Sequence, residues 1–151
     1  MAVVKQKVVA YITHGGRLLV FRHTDFPEAG IQVPAGTVEA GETLDAAALR
    51  EAQEETGVAC LSLVGKLGET RFDPRPWGRD ELHHRTYYHL AYEGTPPDTW
   101  QHGEMTPSDG SAGPIRFEFF WVDLPDGVPR LAGRQDEMLG ALLAALAGGR
   151  Q

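Results

Sequence analysis

Five carboxylate residues lie within the fourteen-residue segment 42–55, together with a single basic residue, Arg50. They are Glu42, Asp45, Glu51, Glu54 and Glu55. On a helix, at about 100° per residue, the last three carboxylates share an arc of about 100°. Like charges three or four residues apart destabilise a helix by about 0.2–0.5 kcal/mol per pair, so the cluster needs a compensating positive charge. Oxygen-only ligation is typical of Mg²⁺ and Mn²⁺, and the pattern therefore predicts a site for one of these cations.

The residues from 43 to 56 have the composition and the end signals of a helix. Thr43 is a favourable N-cap residue, and Gly57 is a favourable residue after the last turn. Three apolar residues lie near the carboxylates one or two turns earlier: Leu44, Ala47 and Ala48. That side is expected to pack inward, where an unpaired carboxylate costs far more free energy than in water. The alternative interpretation is a solvated acidic helix face, which needs no cation.

The spacing around this helix resembles the signature box of the Nudix hydrolases, in its MutT-like form. All seven fixed positions of that box are present: Gly36, Glu42, Arg50, Glu51, Glu54, Glu55 and Gly57. Of the two apolar positions, Val58 fits well, and Ala52 is smaller than the usual Leu, Ile or Val. The box covers residues 36–58, and the order of strands and helices extends the resemblance, less specifically, to most of the chain.

The resemblance implies an α+β fold, in which an α/β/α sandwich surrounds a mixed β-sheet and the whole of 1–151 is one domain. It also implies a hydrolase that cleaves a nucleoside diphosphate linked to another moiety, such as a nucleoside triphosphate or an ADP-ribose-like compound. A metal-activated water would attack phosphorus, with Mg²⁺ as the expected cofactor and Mn²⁺ as the alternative. The expected partner is thus a small nucleotide-type substrate.

Specific roles for the box residues follow from the same resemblance. Gly36 is expected to lend its backbone carbonyl to a metal. Glu51 and Glu55 are expected to be the principal metal ligands, and Glu54 is expected to be a ligand or the base that orients the water. The resemblance implies that the catalytic residues are Glu51, Glu54, Glu55 and Arg50.

Two charged residues and a glycine are expected to support those ligands. Arg50 would hold a box glutamate in position through an ion pair. Glu42 would contact that network from behind the ligands, and Gly57 would end the helix with a positive φ.

Outside the box, four residues are candidates for contact with substrate. Arg22 follows the second strand and could reach a phosphate, although it also fits an ordinary polar strand end. Trp77 and Trp100 are read as loop aromatics that could stack on a base, with loop packing as the alternative. Glu118 lies among aromatic residues in a strand, where a charge needs a reason, unless its side of the strand faces solvent.

Apolar and β-branched runs predict strands over 3–13, 18–21, 31–34, 58–67, 83–92 and 115–122. An apolar stripe predicts a last helix over 135–147. The segment 94–114 is rich in Gly and Pro and is predicted to be a long loop in which substrate choice resides, as a lid or as a disordered insertion.

The composition narrows the class of protein further. The chain has 151 residues, and its formal charge of −7 argues against a long nucleic acid as partner, though not against a small phosphorylated substrate that arrives with a cation. A single cysteine, Cys60, excludes an internal disulfide and is expected to be a small buried apolar residue. No apolar run is long enough for a membrane span, and the N-terminus lacks a signal peptide, so we expect a cytoplasmic protein. The expected oligomeric state is a monomer or a homodimer.

Two alternatives stand beside hydrolysis. A non-hydrolytic sensor of the same fold would bind a nucleotide without cleaving it, but such a module is expected to lose box residues, and here the box is whole. An enzyme of another reaction, such as a prenyl diphosphate isomerase, would need a reactive cysteine near the metal, and Cys60 is poorly placed for that role.

Overall fold

The computed structural model describes residues 3–78, 80–104 and 115–148, without the side chains of residues 77, 104 and 115. The strands of this part are β1 (Val3–His14), β2 (Arg17–His23), β3 (Ala35–Thr37), β4 (Leu61–Phe72), β5 (Glu81–Tyr92), β6 (Thr99–Glu104) and β7 (Ile115–Asp123). They form one sheet in the order β4-β5-β1-β2-β7-β6, with β3 beside β1. The β1–β5 pair is parallel and the other pairs are antiparallel, so the sheet is mixed.

Two helices cover the two faces of this sheet. Helix α1 spans Leu44–Thr56, and a 3₁₀ segment at Ala132–Met138 leads into α2 at Leu139–Gly148. In β1, Val8 packs in the same apolar cluster as Ala48 of α1, whereas the next residue, Val9, packs with Leu142 of α2. This alternation is the period-2 pattern of a strand that is buried on both faces. The mixed sheet between two helices confirms the predicted fold class.

The short strand β3 places the beginning of the box beside β1. Val8 lies opposite Gly36 in this antiparallel pair. Ala10 N donates to Pro34 O and Val38 N donates to Gln6 O, so the ladder pattern makes Val8 and Gly36 a hydrogen-bonded pair. The backbone groups of Gly36 therefore face β1, and those of Ala35 face away from β1.

Four predicted elements differ from the structure. The strand predicted over 58–67 is β4, which begins at Leu61 and ends at Phe72. The predicted strand 31–34 is reduced to isolated bridges at Ile31 and Gln32, and the strand proper is β3, three residues later. The predicted loop 94–114 contains β6, which pairs with β7 along its whole length; residues 105–114 lie outside the described part. The predicted helix 135–147 begins as an α-helix only at Leu139, because residues 135–138 belong to the 3₁₀ segment Ala132–Met138.

Among the described residues, no helix is both long enough and apolar enough to cross a membrane.

Candidate active site

Helix α1 begins and ends as its sequence predicts. The Thr43 side chain accepts a hydrogen bond from Ala46 N at 3.1 Å, which satisfies a donor of the first turn. Gly57 has a left-handed φ of 75°, and its N–H donates to Gln53 O at 2.9 Å. The last two turns, which carry the three carboxylates, are thus fixed at the C-terminal end by a glycine that tolerates this φ.

Strand β6 holds the same end of α1 from the side. Trp100 Nε1 donates to Thr56 O at 2.9 Å, and His102 Nε2 lies 3.0 Å from Glu54 O, to which it donates because a carbonyl only accepts. The His102 ring also lies against Gly57, where a Cβ would be 2.5 Å from His102 Nδ1. Gly57 is therefore required for its φ and for the space that His102 occupies. His102 is not among the residues that the sequence predicts for the site, because the segment 94–114 is predicted to be a loop, in which no side chain has a predicted direction.

The three carboxylates meet in one cleft. Its volume is about 90 Å³, and its lining consists of Glu51, Glu54, Glu55, His102 and Phe117. The Glu51 side chain is only 20% exposed, whereas that of Glu54 is 64% exposed. The structure therefore brings the box glutamates together at one surface, where the Glu51 side chain is half-buried and that of Glu54 is accessible to solvent.

Strand β3 forms the floor beneath these carboxylates. A Cβ on Gly36 would lie 2.0 Å from Glu51 Cδ, so the carboxylate occupies the space that any larger side chain would fill. Ala35 N donates to Glu55 Oε1 at 3.0 Å. Helix α1 and strand β3 thus each fix one side of the Glu51 and Glu55 carboxylates.

Arg50 links the box together through five hydrogen bonds. Its Nε and Nη2 donate to the two Glu42 oxygens at 2.6 and 2.9 Å, in a bidentate pair. Its Nη1 donates to Glu51 at 3.1 Å and to Glu54 at 3.2 Å, and its Nη2 donates to Thr37 O at 3.2 Å. Arg50 thus contacts three glutamates of the box at once.

The Arg50 network contains more carboxylates than positive charges. The hydrogen bonds from Arg50 lower the pKa of Glu42 to about 2, and the Glu42 hydrogen bond in turn raises the pKa of Arg50. One guanidinium therefore serves Glu42, Glu51 and Glu54 together, and Glu55 adds a further carboxylate to the cleft. The cleft is thus rich in carboxylates, as the sequence pattern indicates.

The oxygen atoms in the cleft are the type of ligand that a hard divalent cation binds. Carboxylate oxygens of α1 lie against the backbone of β3, and cations such as Mg²⁺ prefer such oxygen ligands. No three His, Cys, Asp or Glu side chains of the described residues already surround a common point as ligands. Glu51 and Glu54 are instead turned towards Arg50. A cation bound at this cleft would therefore share these two carboxylates with the guanidinium.

Arg22 and Glu118 are brought together, but not at the cleft. They lie opposite each other in the β2–β7 pair and form an ion pair at 3.3 Å. Arg22 also lies 4.4 Å from the ring centre of Phe120, which packs on the α2 face. Neighbouring Phe21 packs on the α1 face, so the strand period directs Arg22 to the side opposite the carboxylates.

The next residue, His23, is directed to the carboxylate side instead. Its ring lies 5.6 Å from that of Phe117, which lines the cleft. Its Nδ1 is buried and has no hydrogen-bond partner among the described residues.

The two tryptophan candidates differ in what the structure shows of them. Trp100 lies in β6 rather than in a loop, and its ring stacks on Phe119 at 5.4 Å with an interplanar angle of 12°. It therefore packs against the core as well as bonding to α1. Trp77 lies in the 3₁₀ turn Arg75–Trp77, and its side chain is outside the described part.

The expectation for Cys60 is wrong, because the residue is exposed. It lies in the turn between α1 and β4, where the neighbouring Leu61 is the side chain that enters the core.

The model of the NUDIX domain matches residues 4–141 of this chain. The chain belongs to the NUDIX family. An RNA pyrophosphohydrolase from Acidiphilium cryptum (strain JF-5) is 30% identical over 133 residues, which cover 82% of this chain and 76% of that protein. Membership of the family makes the chain a hydrolase that acts on pyrophosphate bonds, with a divalent metal as the general requirement.

Solved structures of other proteins share the fold. A MutT NUDIX hydrolase from Burkholderia pseudomallei superposes with a TM-score of 0.65 at 23% identity, over 92% of this chain and 98% of that one. A UDP-X diphosphatase superposes with a TM-score of 0.64 at 18% identity, over 99% of this chain. The chain spans 66% of that diphosphatase. At these identities the likeness concerns the fold.

Proposed function

We propose that the protein is a Mg²⁺-dependent pyrophosphohydrolase, with Mn²⁺ as an alternative cation, that cleaves a nucleoside diphosphate linked to another moiety. The observation that carries this proposal is the cleft in which Glu51, Glu54 and Glu55 meet above β3. A bare diphosphate would be repelled by such a cleft. A diphosphate that binds together with a divalent cation is attracted to it.

Glu51 and Glu55 are the proposed carboxylate ligands, because the backbone of β3 already fixes both. For the backbone ligand, the strand register favours Ala35 over Gly36. The carbonyl of Gly36 faces Val8 in the ladder, whereas the Ala35 groups face outward, as the bond from Ala35 N to Glu55 shows. Gly36 is then needed for the space that it leaves to Glu51.

A divalent cation held there supplies positive charge to the diphosphate and activates the attacking water. Glu54, the more exposed of the two glutamates bonded to Arg50, is the proposed acceptor of the proton from that water. The water oxygen bonds to phosphorus as the bridging P–O bond breaks. The products are a nucleoside monophosphate and the phosphorylated remainder, in agreement with hydrolysis of a nucleoside diphosphate derivative.

Arg50 and Glu42 position the carboxylates rather than react. Arg50 Nη1 bonds to both Glu51 and Glu54, and the bidentate pair with Glu42 fixes the guanidinium plane. Side chains that are held in advance lose less entropy when substrate and cation bind.

The nucleotide derivative is to be identified by assay. A suitable panel contains nucleoside triphosphates, ADP-ribose, a UDP-sugar and a 5′-triphosphorylated RNA oligonucleotide, each with Mg²⁺ and with Mn²⁺. The RNA is included because a relative is named for RNA, and it tests the expectation that no long nucleic acid is a partner. Product formation that depends on the cation and is lost in Glu55→Gln supports the proposal. Binding of a nucleotide without product release would show a sensor instead.

A further inference from the structure

A second cavity lies on the other face of the sheet, directly behind β3. Its volume is about 190 Å³, and its lining includes Lys7, Ala35, Gly36, His83, Arg85 and Gln135. Lys7 precedes Val8, which packs on the α1 face, so Lys7 is directed to the α2 face. His83 and Arg85 share that face, because Tyr87, two residues further along β5, packs there. We call this space the β3 cavity.

Strand β3 separates the β3 cavity from the cleft that Glu51, Glu54 and Glu55 line, which we call the carboxylate cleft. Ala35 and Gly36 line the cavity, and the same two residues contact Glu55 and Glu51 on the other side. In the described part of the chain β3 pairs with β1 alone, so no strand covers its outer edge. The wall is one strand wide, about 5 Å, so a ligand that occupies both spaces would have to cross the outer edge of β3.

The charges that line the β3 cavity are positive. Lys7 and Arg85 are cations, and no acidic residue belongs to the lining. Burial is the main cause that lowers the pKa of His83, and the positive charges of Lys7 and Arg85 lower it further, which places both charges close to that ring. Glu81 bonds to His83 at 2.7 Å and Glu137 lies 3.5 Å from Arg85. These two acids do not line the cavity, and they neutralise part of its positive charge.

The hydrogen-bond donors of the cavity suit an anion with several oxygens. Lys7 Nζ lies 2.6 Å from Thr37 Oγ1, which holds the ammonium beside β3. Arg85 is 8% exposed and donates to Gly133 O at 2.6 Å. Gln135 is also 8% exposed, and its Oε1 accepts from Val33 N, which leaves the amide NH₂ as a donor. An ammonium and a guanidinium in one small cavity are typical of a phosphate site.

We propose that the β3 cavity binds a second phosphate of the substrate, carried on the sugar of the nucleoside whose diphosphate lies at the carboxylate cleft. This inference rests on the proposed function and narrows its substrate class to nucleotides that carry a ribose phosphate. A monoester at the 2′ or 3′ position and a diester to a following nucleotide both present anionic terminal oxygens that these donors could bind. The test separates them.

The first measurement is equilibrium binding, which does not depend on turnover. The probes are AMP, adenosine 2′,5′-bisphosphate, adenosine 3′,5′-bisphosphate and the dinucleotide pApA, titrated by calorimetry with Mg²⁺ present. We expect at least one phosphorylated probe to bind about ten times more tightly than AMP. The 2′, 3′ or diester arm that gains affinity identifies the position of the phosphate. Equal affinity for all four probes would overturn the inference.

The matched variants are Lys7→Gln and Lys5→Gln. Lys5 lies two residues earlier on the same face of β1, is exposed and is absent from the lining. Lys7→Gln is expected to reduce the gain over AMP about tenfold and to leave AMP binding unchanged, whereas Lys5→Gln is expected to preserve the gain. Circular dichroism melting of each variant checks the fold. A gain that survives in Lys7→Gln, or that is lost equally in Lys5→Gln, would overturn the inference.

Turnover then separates this inference from the proposed function. ADP-ribose and its 2′-phosphate, or dephospho-coenzyme A and coenzyme A, form pairs that differ by one phosphate. Preference for the phosphorylated member, expressed mainly in KM and lost in Lys7→Gln, is the expected result. If neither these pairs nor the nucleotide panel described above is cleaved although the Lys7-dependent gain in binding is present, the proposed function fails and the phosphate site stands. If both members are cleaved equally, the inference fails and the function stands.

Discussion

The Glu51 carboxylate occupies the position that a side chain of residue 36 would take. A Cβ on Gly36 would lie 2.0 Å from Glu51 Cδ and 2.2 and 2.4 Å from its two oxygens. The first residue of the box and its central glutamate are therefore one structural unit, although they are separated by fifteen positions and lie on different elements.

Gly36→Ala is expected to abolish most of the activity without unfolding the protein. The new methyl group displaces a flexible carboxylate end rather than backbone, so the fold can accommodate it while the proposed cation ligand moves. We expect kcat/KM to fall at least about tenfold and the affinity for Mn²⁺, measured by electron paramagnetic resonance, to fall with it. Gly65→Ala is the control, because a Cβ at that strand position meets nothing within 4 Å. Equal activity in both variants would contradict this account of Gly36.

Glu42→Gln is expected to change how stability depends on pH. The pKa of Glu42 in the folded protein is about 2, against an ordinary 4.5. Its ionised form therefore stabilises the fold at pH above about 4.5, and that contribution disappears as the pH falls towards 2. Urea unfolding between pH 6 and pH 2.5 should show the wild type losing stability more steeply than the variant. Parallel curves for the two proteins would mean that the Arg50–Glu42 pair does not contribute in this way.

His102→Ala is expected to lower kcat because the last turn of α1 loses a side support at Glu54 O. We expect a loss of about 3- to 30-fold, with partial recovery in His102→Gln, whose amide can donate to the same carbonyl. His84→Ala is a matched control, since His84 bonds to Gln6 and Glu69 away from the cleft. If His102→Ala retains full activity, β6 does not position the carboxylates.

Cys60 is expected to react with a thiol reagent in the native protein, because it is exposed. One thiol per chain should be modified without denaturant, and the modified protein should keep its activity, since Cys60 does not line the cleft. Cys60→Ser should give no signal. A thiol that reacts only in denaturant would show that the residue is buried after all.

The box and its helix could be predicted from the sequence because their signals are local. Thr43 and Gly57 mark the ends of α1 through backbone chemistry that acts within one turn, and the carboxylate arc follows from the helical period alone. Glu51, Glu54 and Glu55 accordingly meet where the spacing indicates. The predicted strands of the sheet centre likewise followed from runs of buried apolar residues.

The other strands and side-chain positions depend on contacts between segments that are distant in sequence, and residue spacing does not predict those contacts. Strand β6 has a polar sequence and becomes a strand by pairing with β7, so His102 had no predicted position. The sequence makes Arg22 a candidate for contact with a phosphate, but the β2–β7 register places it beside Glu118 and on the face opposite the carboxylates. Apolar neighbours of Cys60 suggested burial, whereas the turn after α1 exposes it.

The central claim is that the carboxylates of α1 carry cation-dependent hydrolysis of a nucleoside diphosphate derivative. The direct measurement compares product release by the wild type, Glu54→Gln, Glu55→Gln and the control Glu93→Gln, whose side chain bonds to Ser62 away from the cleft. We expect Glu54→Gln and Glu55→Gln to lose about 100-fold or more of the Mg²⁺-dependent rate with unchanged melting curves, and Glu93→Gln to match the wild type. Wild-type turnover in both box variants would contradict the account.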